Sequence, residues 1–268
     1  MNFSWSNYKK VVILTGAGIS AGSGIKTFRD AGGLWENHRI EEVATPEAFD
    51  NNPELVWRFY SLRRKNAGEA KPNAAHLILD EFAGKFDGEI TLVTQNVDGL
   101  HMRAEKKGFL DPICMHGTLE KSRCTYCQHV WLDDTIWLSE EIPRSSGILS
   151  ESQKASPESL SQYEVHLNSD GLPLSPCCGE LLRPHIVWFG EEPFYMERIM
   201  GELERCDLFL SIGTSGVVYP AAAFLGIAKS HQATTGVFNL EALDESENID
   251  FFIPGAAEVT LPKFFKLT

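Results

Sequence analysis

The chain reads as an α/β protein built on a doubly wound parallel sheet, with a small module formed by two insertions. Three observations predict this. Short apolar, β-branched runs alternate with helical patterns, as buried parallel strands do. Most of these runs end in glycine or polar residues, as strands do when their carboxyl ends face a ligand crevice. Two excursions, about residues 30–75 and 118–182, interrupt the alternation. The expected frame is Rossmann-like.

The first strand is expected at 11–14, where Val11-Val12-Ile13-Leu14 breaks into Thr15-Gly16-Ala17-Gly18. A strand that stops in glycines and turns into a helix presents bare backbone N–H groups to a phosphate. Glycines also serve simple tight turns, so this loop alone decides nothing. Further strands are expected at 90–93, 186–189, 208–212 and 237–240, with a short extended segment at 111–115. In the first excursion Asn52-Pro53 caps a helix, PELVWRFYSLRRKN, that stops near Gly68. In the second, residues 139–176 are rich in Ser, Glu and Pro and read as a long mobile loop. The expected division gives 1–33, 76–117 and 183–268 to the large domain. The 34–75 helical insertion and the 118–182 insertion build the small one.

Composition bounds the function. The 268 residues are 43% apolar and 23% charged, ordinary for a soluble globular protein. A net charge of −13 disfavours direct nucleic-acid binding, because each phosphate contact needs a positive group. No apolar run approaches the roughly 20 residues that span a bilayer. The opening MNFSWSNYKK has neither a secretory nor a transit-peptide layout. The expected location is the cytoplasm, with no membrane partner.

Several constellations carry chemistry. Asn96 and Asp98 follow the second strand within TQNVDGLH and alternate with Val97, so both face one side. An amide and a carboxylate there suit recognition of a carboxamide, and they equally suit an Asx-type turn. His116 precedes Gly117, and an imidazole of ordinary pKa near 6.5 serves as a base at neutral pH. His76 and His101 read as structural histidines. Cys124-x-x-Cys127 forms half of a zinc knuckle. Cys177 and Cys178 are adjacent, a spacing that needs a strained backbone to chelate one ion; His129 and His166 are the rival ligands. Cys114 and Cys206 read as small core residues. Tyr60 and Arg63 stand at i and i+3 on the capped helix and share a face. Together they fit a carboxylate, or equally a solvated amphipathic face. Arg64 reads as a solvated residue of that face.

Taken together the motifs resemble the sirtuins, the NAD-dependent protein lysine deacylases. The matching segments are GAGISAGSGIKTFRD (16–30), TQNVDGLH (94–101), HG (116–117), CTYC (124–127), LLRPHIVWFGE (181–191), GTS (213–215) and NLE (239–241), in the family's order. Compact bacterial members are the nearest in layout. Tyr60, Arg63 and Ala44 are similar to the class III subgroup, which removes succinyl and malonyl groups. The chain departs from the family at Gly22, where glutamate is usual, at Lys26, where proline is common, and at Ser175, where a third cysteine often stands.

The resemblance implies a site. NAD, consumed as co-substrate, would lie along Gly16, Ala17, Gly18, Ile19, Ser20, Ala21, Gly22 and Ile25, with Thr27, Phe28, Arg29 and Trp35 closing over it. Gln95, Asn96, Val97 and Asp98 would enclose nicotinamide. Gly213, Thr214 and Ser215 would support phosphates and riboses, with Asn239, Leu240, Glu241 and Ala257 around adenosine. Acylated lysine side chains of proteins would be the partners, their peptide pairing near Phe189, Gly190, Glu191 and Val217. The acyl oxygen would attack the ribose as nicotinamide departs. His116 would take a ribose hydroxyl proton, and O-acyl-ADP-ribose would leave. One structural Zn²⁺ per chain would sit on Cys124, Cys127, Cys177 and Cys178. Two other readings stay open: mono-ADP-ribosyl transfer to proteins, and a catalytically silent NAD- or zinc-binding module. A dehydrogenase is disfavoured, since no acidic residue follows the glycines by about 20 positions to read a ribose.

Overall fold

The computed structural model describes residues 4–26, 38–104, 111–139, 145–243 and 246–265. Its strands are β1 (Lys10–Thr15), β2 (Glu89–Thr94), β3 (Ile113–Cys114), β4 (Gly117–Cys124), β5 (Val130–Leu132), β6 (Leu182–Ile186), β7 (Leu208–Ile212), β8 (Thr234–Asn239) and β9 (Phe251–Pro254). Its helices are α1 (Ile40–Val43), α2 (Pro46–Asn51), α3 (Pro53–Glu69), α4 (Ala74–Ala83), α5 (Leu100–Arg103), α6 (Glu151–Lys154), α7 (Met196–Leu203), α8 (Phe224–Ser230) and α9 (Ala257–Phe264). Six strands form a parallel sheet in the order β3-β2-β1-β7-β8-β9. The direction of winding reverses between β1 and β7, where open α/β sheets leave a crevice.

β1 and β7 are apolar except at Lys10, Thr15 and Ser211, because both faces are covered. Val12, Leu14 and Phe209 pack with Ile199 and Leu203 of α7 and Phe224 and Leu225 of α8. Val11, Ile13, Leu208 and Leu210 pack with Leu79 and Phe82 of α4 and Leu261 of α9. Each such side chain contributes about 1.5–3 kcal/mol through burial. The expected strands at 11–14, 90–93, 208–212 and 237–240 are all present in this sheet. β9 was not expected.

The 186–189 run is a correction. The strand there is β6, Leu182–Ile186, and it belongs to a separate antiparallel sheet ordered β5-β4-β6. Its partner β4 supplies the hydrogen bonds that a place in the parallel sheet would have needed. The 139–176 segment is a second correction. Among its described residues, Ile148, Leu160 and Leu172 are buried in one core with Trp57, Tyr60 and Trp137. Residues 145–149 cross α3 closely: a Cβ on Gly68 would lie 1.8 Å from the Ser146 carbonyl oxygen.

α3 starts as expected, with Asn52 Oδ1 accepting from Leu55 N at 3.0 Å and Pro53 at the first helical position. Arg64 is the third correction. It is fully buried. Trp57, Tyr60, Arg64 and Ala67 recur at helical spacing, so Arg64 falls within the core stripe and Arg63, half-buried, at its edge beside Tyr60. Arg64 donates to Asp133 Oδ2 at 2.8 Å, to the Leu119, Lys121 and Thr135 carbonyls, and to Ser122 Oγ. Burial pushes the Asp133 carboxyl up, but Arg64, Ser122 and the Trp137 indole outweigh it and hold it below the usual carboxylate range. This ion pair joins the helical insertion to the cysteine-bearing one.

Candidate active site

At the switch point the ends of β1 and β7 nearly touch. Gly16 N donates to Ile212 O at 3.0 Å and Gly18 N to Gly213 O at 2.8 Å. A Cβ on Gly16 would lie 2.8 Å from Gly213 O, and one on Gly18 2.7 Å from Gly213 Cα. The glycines are therefore required by backbone apposition. Their own N–H groups are committed to Ile212 and Gly213, and within the turn Ala17–Ser23 Ile19 and Ser20 are buried while Ala21 and Gly22 are exposed. Gly22 is bare where Glu258 leans in: a Cβ there would lie 2.6 Å from the Glu258 carboxyl carbon. Sequence reasoning missed Glu258; the absent side chain at position 22 was its one signal.

Ser20 is the hub of the crevice and is fully buried. Its hydroxyl donates to Asp98 Oδ2 at 2.7 Å and accepts from Asn96 Nδ2 at 3.1 Å. Asn96 also donates to Gly16 O, and Asp98 Oδ1 accepts from Leu100 N. Asn96 and Asp98 thus converge on one point, and an Asx-type turn is present as well. Asn73, the cap of α4, holds the loop through Ile19 O and Ser23 Oγ. His76 lies 3.4 Å from Ser20 Oγ, and His101 bonds Thr15 Oγ1 at 3.0 Å. Burial brings the His76 pKa down to about 4, against the pull of Asp98. Both histidines are the neutral, buried residues expected of structural ones.

His116 stands across the crevice. Its Nδ1 lies 3.2 Å from the Gln95 carbonyl, which only accepts, so the proton sits on Nδ1 and Nε2 keeps its lone pair. Burial lowers its pKa, opposed by that hydrogen bond. The Gln95 side chain donates to Thr214 Oγ1 at 3.0 Å, and Asn239 Nδ2 to Thr214 O at 3.0 Å. The ends of β2, β7 and β8 are thereby tied together. Gly117 has φ +82°, and a Cβ there would lie 2.1 Å from His185 O, so only glycine follows the histidine. Ile25 is half-buried, Val97 and Ala257 are buried, and Ala21, Ser215, Leu240 and Glu241 are exposed at the rim. Thr27, Phe28, Arg29 and Trp35 lie outside the described residues.

On the other side of the crevice, Phe189 N donates to Ala44 O at 2.9 Å. Tyr60 is fully buried, and its hydroxyl accepts from Trp188 Nε1 at 3.0 Å. Burial pushes the Tyr60 phenol up to about 12, so it stays protonated. Arg63 is half-buried, its guanidinium carbon 5.7 Å from the Phe59 ring centre. Trp188 went unremarked in the sequence. Phe189 and Val217 are exposed, and Gly190 has φ +91°. The Glu191 carboxylate is bound to Arg183 at 2.7 Å, Arg123 at 3.1 Å and Trp188 N at 2.8 Å. Its side chain braces the module, and the Glu191 N–H donates to Trp188 O at 3.0 Å.

The sulfurs of Cys124, Cys127, Cys177 and Cys178 all lie within 4.8 Å of one another. Neither Cys177 nor Cys178 has a positive φ; Gly179, at +78°, takes the strain expected of the adjacent pair.

The model of the Sir2 family matches residues 16–220. The chain is 45% identical over 268 residues to an NAD-dependent protein deacylase of Vibrio vulnificus, covering 98% of this chain and 94% of the relative. Among solved structures, a mutant Sir2 homologue in complex with ADP-ribose is similar at a TM-score of 0.79, with 34% identity over 97% of this chain and 92% of the other. A Sir2 homologue in complex with NAD gives a TM-score of 0.78 and 34% identity, covering 98% of this chain and 90% of that one.

Proposed function

The chain belongs to the Sir2 family, and we propose that it removes succinyl and malonyl groups, and acetyl groups as well, from protein lysines. Its general activity is NAD-dependent protein deacylation. NAD fits a crevice whose glycines admit no side chain and where a half-buried amide converges with a buried carboxylate and hydroxyl. Bound there, it would supply the ribose carbon to which the acyl oxygen bonds as the bond to nicotinamide breaks and nicotinamide leaves, and it would be consumed.

The residues then divide the work. Asn96 and Asp98 hold the carboxamide, oriented by Ser20. Thr214 and Asn239 place the ribose and phosphate end, with Glu241 and Ala257 at the adenosine. His116 Nε2 removes the ribose hydroxyl proton. Its tautomer is set by the Gln95 carbonyl, and burial favours the neutral ring the step needs. The peptide backbone lies between 189–191 and 216–218. The small module comprises 34–75 and 118–182, and the enzyme works in the cytoplasm.

One observation carries the acyl preference. The Tyr60 hydroxyl already accepts from Trp188, so its proton is left to donate, one helical turn from the Arg63 guanidinium. A proton donor and a cation on one helix face suit an acyl chain that ends in a carboxylate. Ala44 leaves room for that chain. Acetyl-, malonyl- and succinyl-lysine peptides assayed for O-acyl-ADP-ribose, with and without NAD, test the reading. A preference for acetyl overturns it, and ADP-ribosylated protein as the product shifts it to transfer.

The four cysteines fit a structural zinc. Zn–S bonds of about 2.3 Å in a tetrahedron put sulfurs roughly 3.8 Å apart; here Cys127–Cys178 and Cys177–Cys178 are 3.8 and 3.7 Å apart, while Cys124–Cys178 and Cys127–Cys177 are drawn closer, at 3.3 and 3.0 Å. A metal assay should find about one zinc per chain, falling in Cys178→Ser; a metal-free folded sample would refute the site.

A further inference from the structure

α3 and the turn after β2 are distant in the chain, and one guanidinium holds both. Arg103, the last residue of α5, donates through Nη2 to Ala67 O at 2.7 Å and to Asp98 O at 3.0 Å. Its Nη1 donates to Ala70 O at 3.1 Å. Ala67 stands in the last turn of α3 and Ala70 caps it. Local structure aims the side chain there. Gly99, at φ +72°, reverses the chain, and Asp98 Oδ1 accepts from Leu100 N at 2.9 Å, so α5 starts beside Asp98. Long side chains on a helix point back toward its amino end, which returns Arg103 to the Asp98 carbonyl.

A helix leaves its last carbonyls without internal partners, and a cation there is favourable. α3 has no basic residue in its own last turn, so Arg103 supplies one from outside. Capping alone is met by Ala67 O and Ala70 O. The third bond, to Asp98 O, is one that capping does not call for. Arg103 is half-buried, and its Nε is buried without a partner among the described residues, so the arrangement persists at the cost of an unsatisfied donor. Asp98 is thereby held at three atoms: Oδ1 by Leu100 N, Oδ2 by Ser20 Oγ, and its carbonyl by Arg103. On α3, Tyr60, Arg63, Ala67 and Ala70 follow at spacings of three or four, so the tie falls one turn beyond Arg63 on the same face.

We propose that Arg103 is a positioning residue for deacylation: by gripping the Asp98 main chain and the end of α3 with one guanidinium, it keeps the nicotinamide pocket and the acyl pocket in register. The acyl oxygen has to meet the ribose carbon as nicotinamide leaves, so the offset between the two pockets sets the geometry of attack. Arg103 touches neither ligand and acts through Asp98 and α3. The proposal rests on the carboxamide role of Asp98 and the acyl role of Tyr60 with Arg63.

Arg103→Met keeps an unbranched stem and removes the fork. Nicotinamide titrated calorimetrically into the full chain saturated with ADP-ribose should bind about tenfold more weakly, the loss of one hydrogen bond to a charged group. The ratio of desuccinylation to deacetylation, as kcat/KM, should fall by a similar factor. ADP-ribose itself should bind with unchanged affinity, because Arg103 makes no bond to the glycine turn, Thr214 or Asn239. Asn52→Ala, which loosens the other end of α3, should leave nicotinamide affinity at the wild-type value. Arg103→Lys keeps the charge with a point donor in place of the fork, and serves if Arg103→Met does not fold; weaker nicotinamide and a lowered ratio are expected again. Wild-type values for both in either folded variant reduce Arg103 to a helix cap and overturn the proposal. Parallel weakening of ADP-ribose also overturns it, as general loosening. A wild type that neither binds nicotinamide nor prefers succinyl overturns the pocket assignments, and the proposal with them.

Discussion

The crevice and the small module place their polar side chains by different means. In the crevice each group follows a strand end: Gly16 and Ser20 after β1, Asn96 and Asp98 after β2, Thr214 after β7, Asn239 at the end of β8. Parallel register then brings these short segments together without further instruction. In the module, contacts join distant stretches. Arg64 meets Asp133 across 69 residues, Tyr60 meets Trp188 across 128, and Cys124 meets Cys178 across 54. The two adjacent arginines of α3 show the consequence. Arg63 lies half-buried, while Arg64 is sealed in an ion pair. His116, whose ring makes one hydrogen bond, to the Gln95 carbonyl, is therefore expected to be replaceable with little damage to the fold, whereas Arg64, whose guanidinium makes five, is not.

His116→Tyr is the sharpest test of that contrast, with the largest effect. Loss of the base should cut kcat by about 10²–10⁴-fold, with the melting temperature unchanged. Because burial lowers the His116 pKa, protonation sets in only below the ordinary value near 6.5. Wild-type kcat should accordingly hold its plateau below pH 6.5 before falling. An acid limb above that value, or an unfolded His116→Tyr, breaks the comparison.

Arg64→Met should do the reverse. Removing one partner of a buried pair costs about 3–5 kcal/mol, read as a drop in melting temperature. Asp133→Leu added to it should recover most of the loss, since no charge then stays buried alone. The pair also sets a pH dependence. The folded Asp133 pKa is depressed, so its contribution is complete above the unfolded value near 3.9 and vanishes as pH falls through the lower folded value. Arg63→Met should leave stability nearly intact. It should cost desuccinylation about 2–5 kcal/mol of transition-state binding, as for a lost charge partner, with deacetylation changed far less. Equal losses for both acyl groups would remove Arg63 from the acyl pocket.

The same contrast governs what the sequence reveals. β1, β2, β7 and β8 are legible because a strand buried on both faces must be apolar along its length. Run 186–189 has that composition too, but its sheet is decided by β4, some 60 residues upstream, and no local pattern records a partner. β9 escaped notice because it is an edge strand, only partly buried and ending in Pro254. Arg64 was misread because its acceptors are carbonyls and a carboxylate from β4 and residues 133–135, which its own helix does not announce. The 139–176 segment has the composition of a loop, yet a few well-spaced apolar residues suffice to fasten it: Ile148, Leu160 and Leu172. Asn96 and Asp98 are legible as a pair from their spacing, but Ser20, expected on the phosphates, joins them only in the fold, and the commitment of Glu191 to two arginines is hidden because it depends on Arg123 from another strand.

The smallest expected effect separates local from distant control within the module itself. Asn52 caps α3 through Leu55 N, a feature readable from Asn-Pro alone. Asn52→Ala should cost about 1 kcal/mol of stability. It should leave the ratio of desuccinylation to deacetylation unchanged, because the helix is held further along by the Trp57 indole on Leu182 O at 3.0 Å and by Arg64 on β4. Fraying at the first turn then stops before it reaches Tyr60. If the ratio falls with the cap, α3 is positioned from its amino end, and the division between a locally written crevice and a remotely assembled module does not hold for α3.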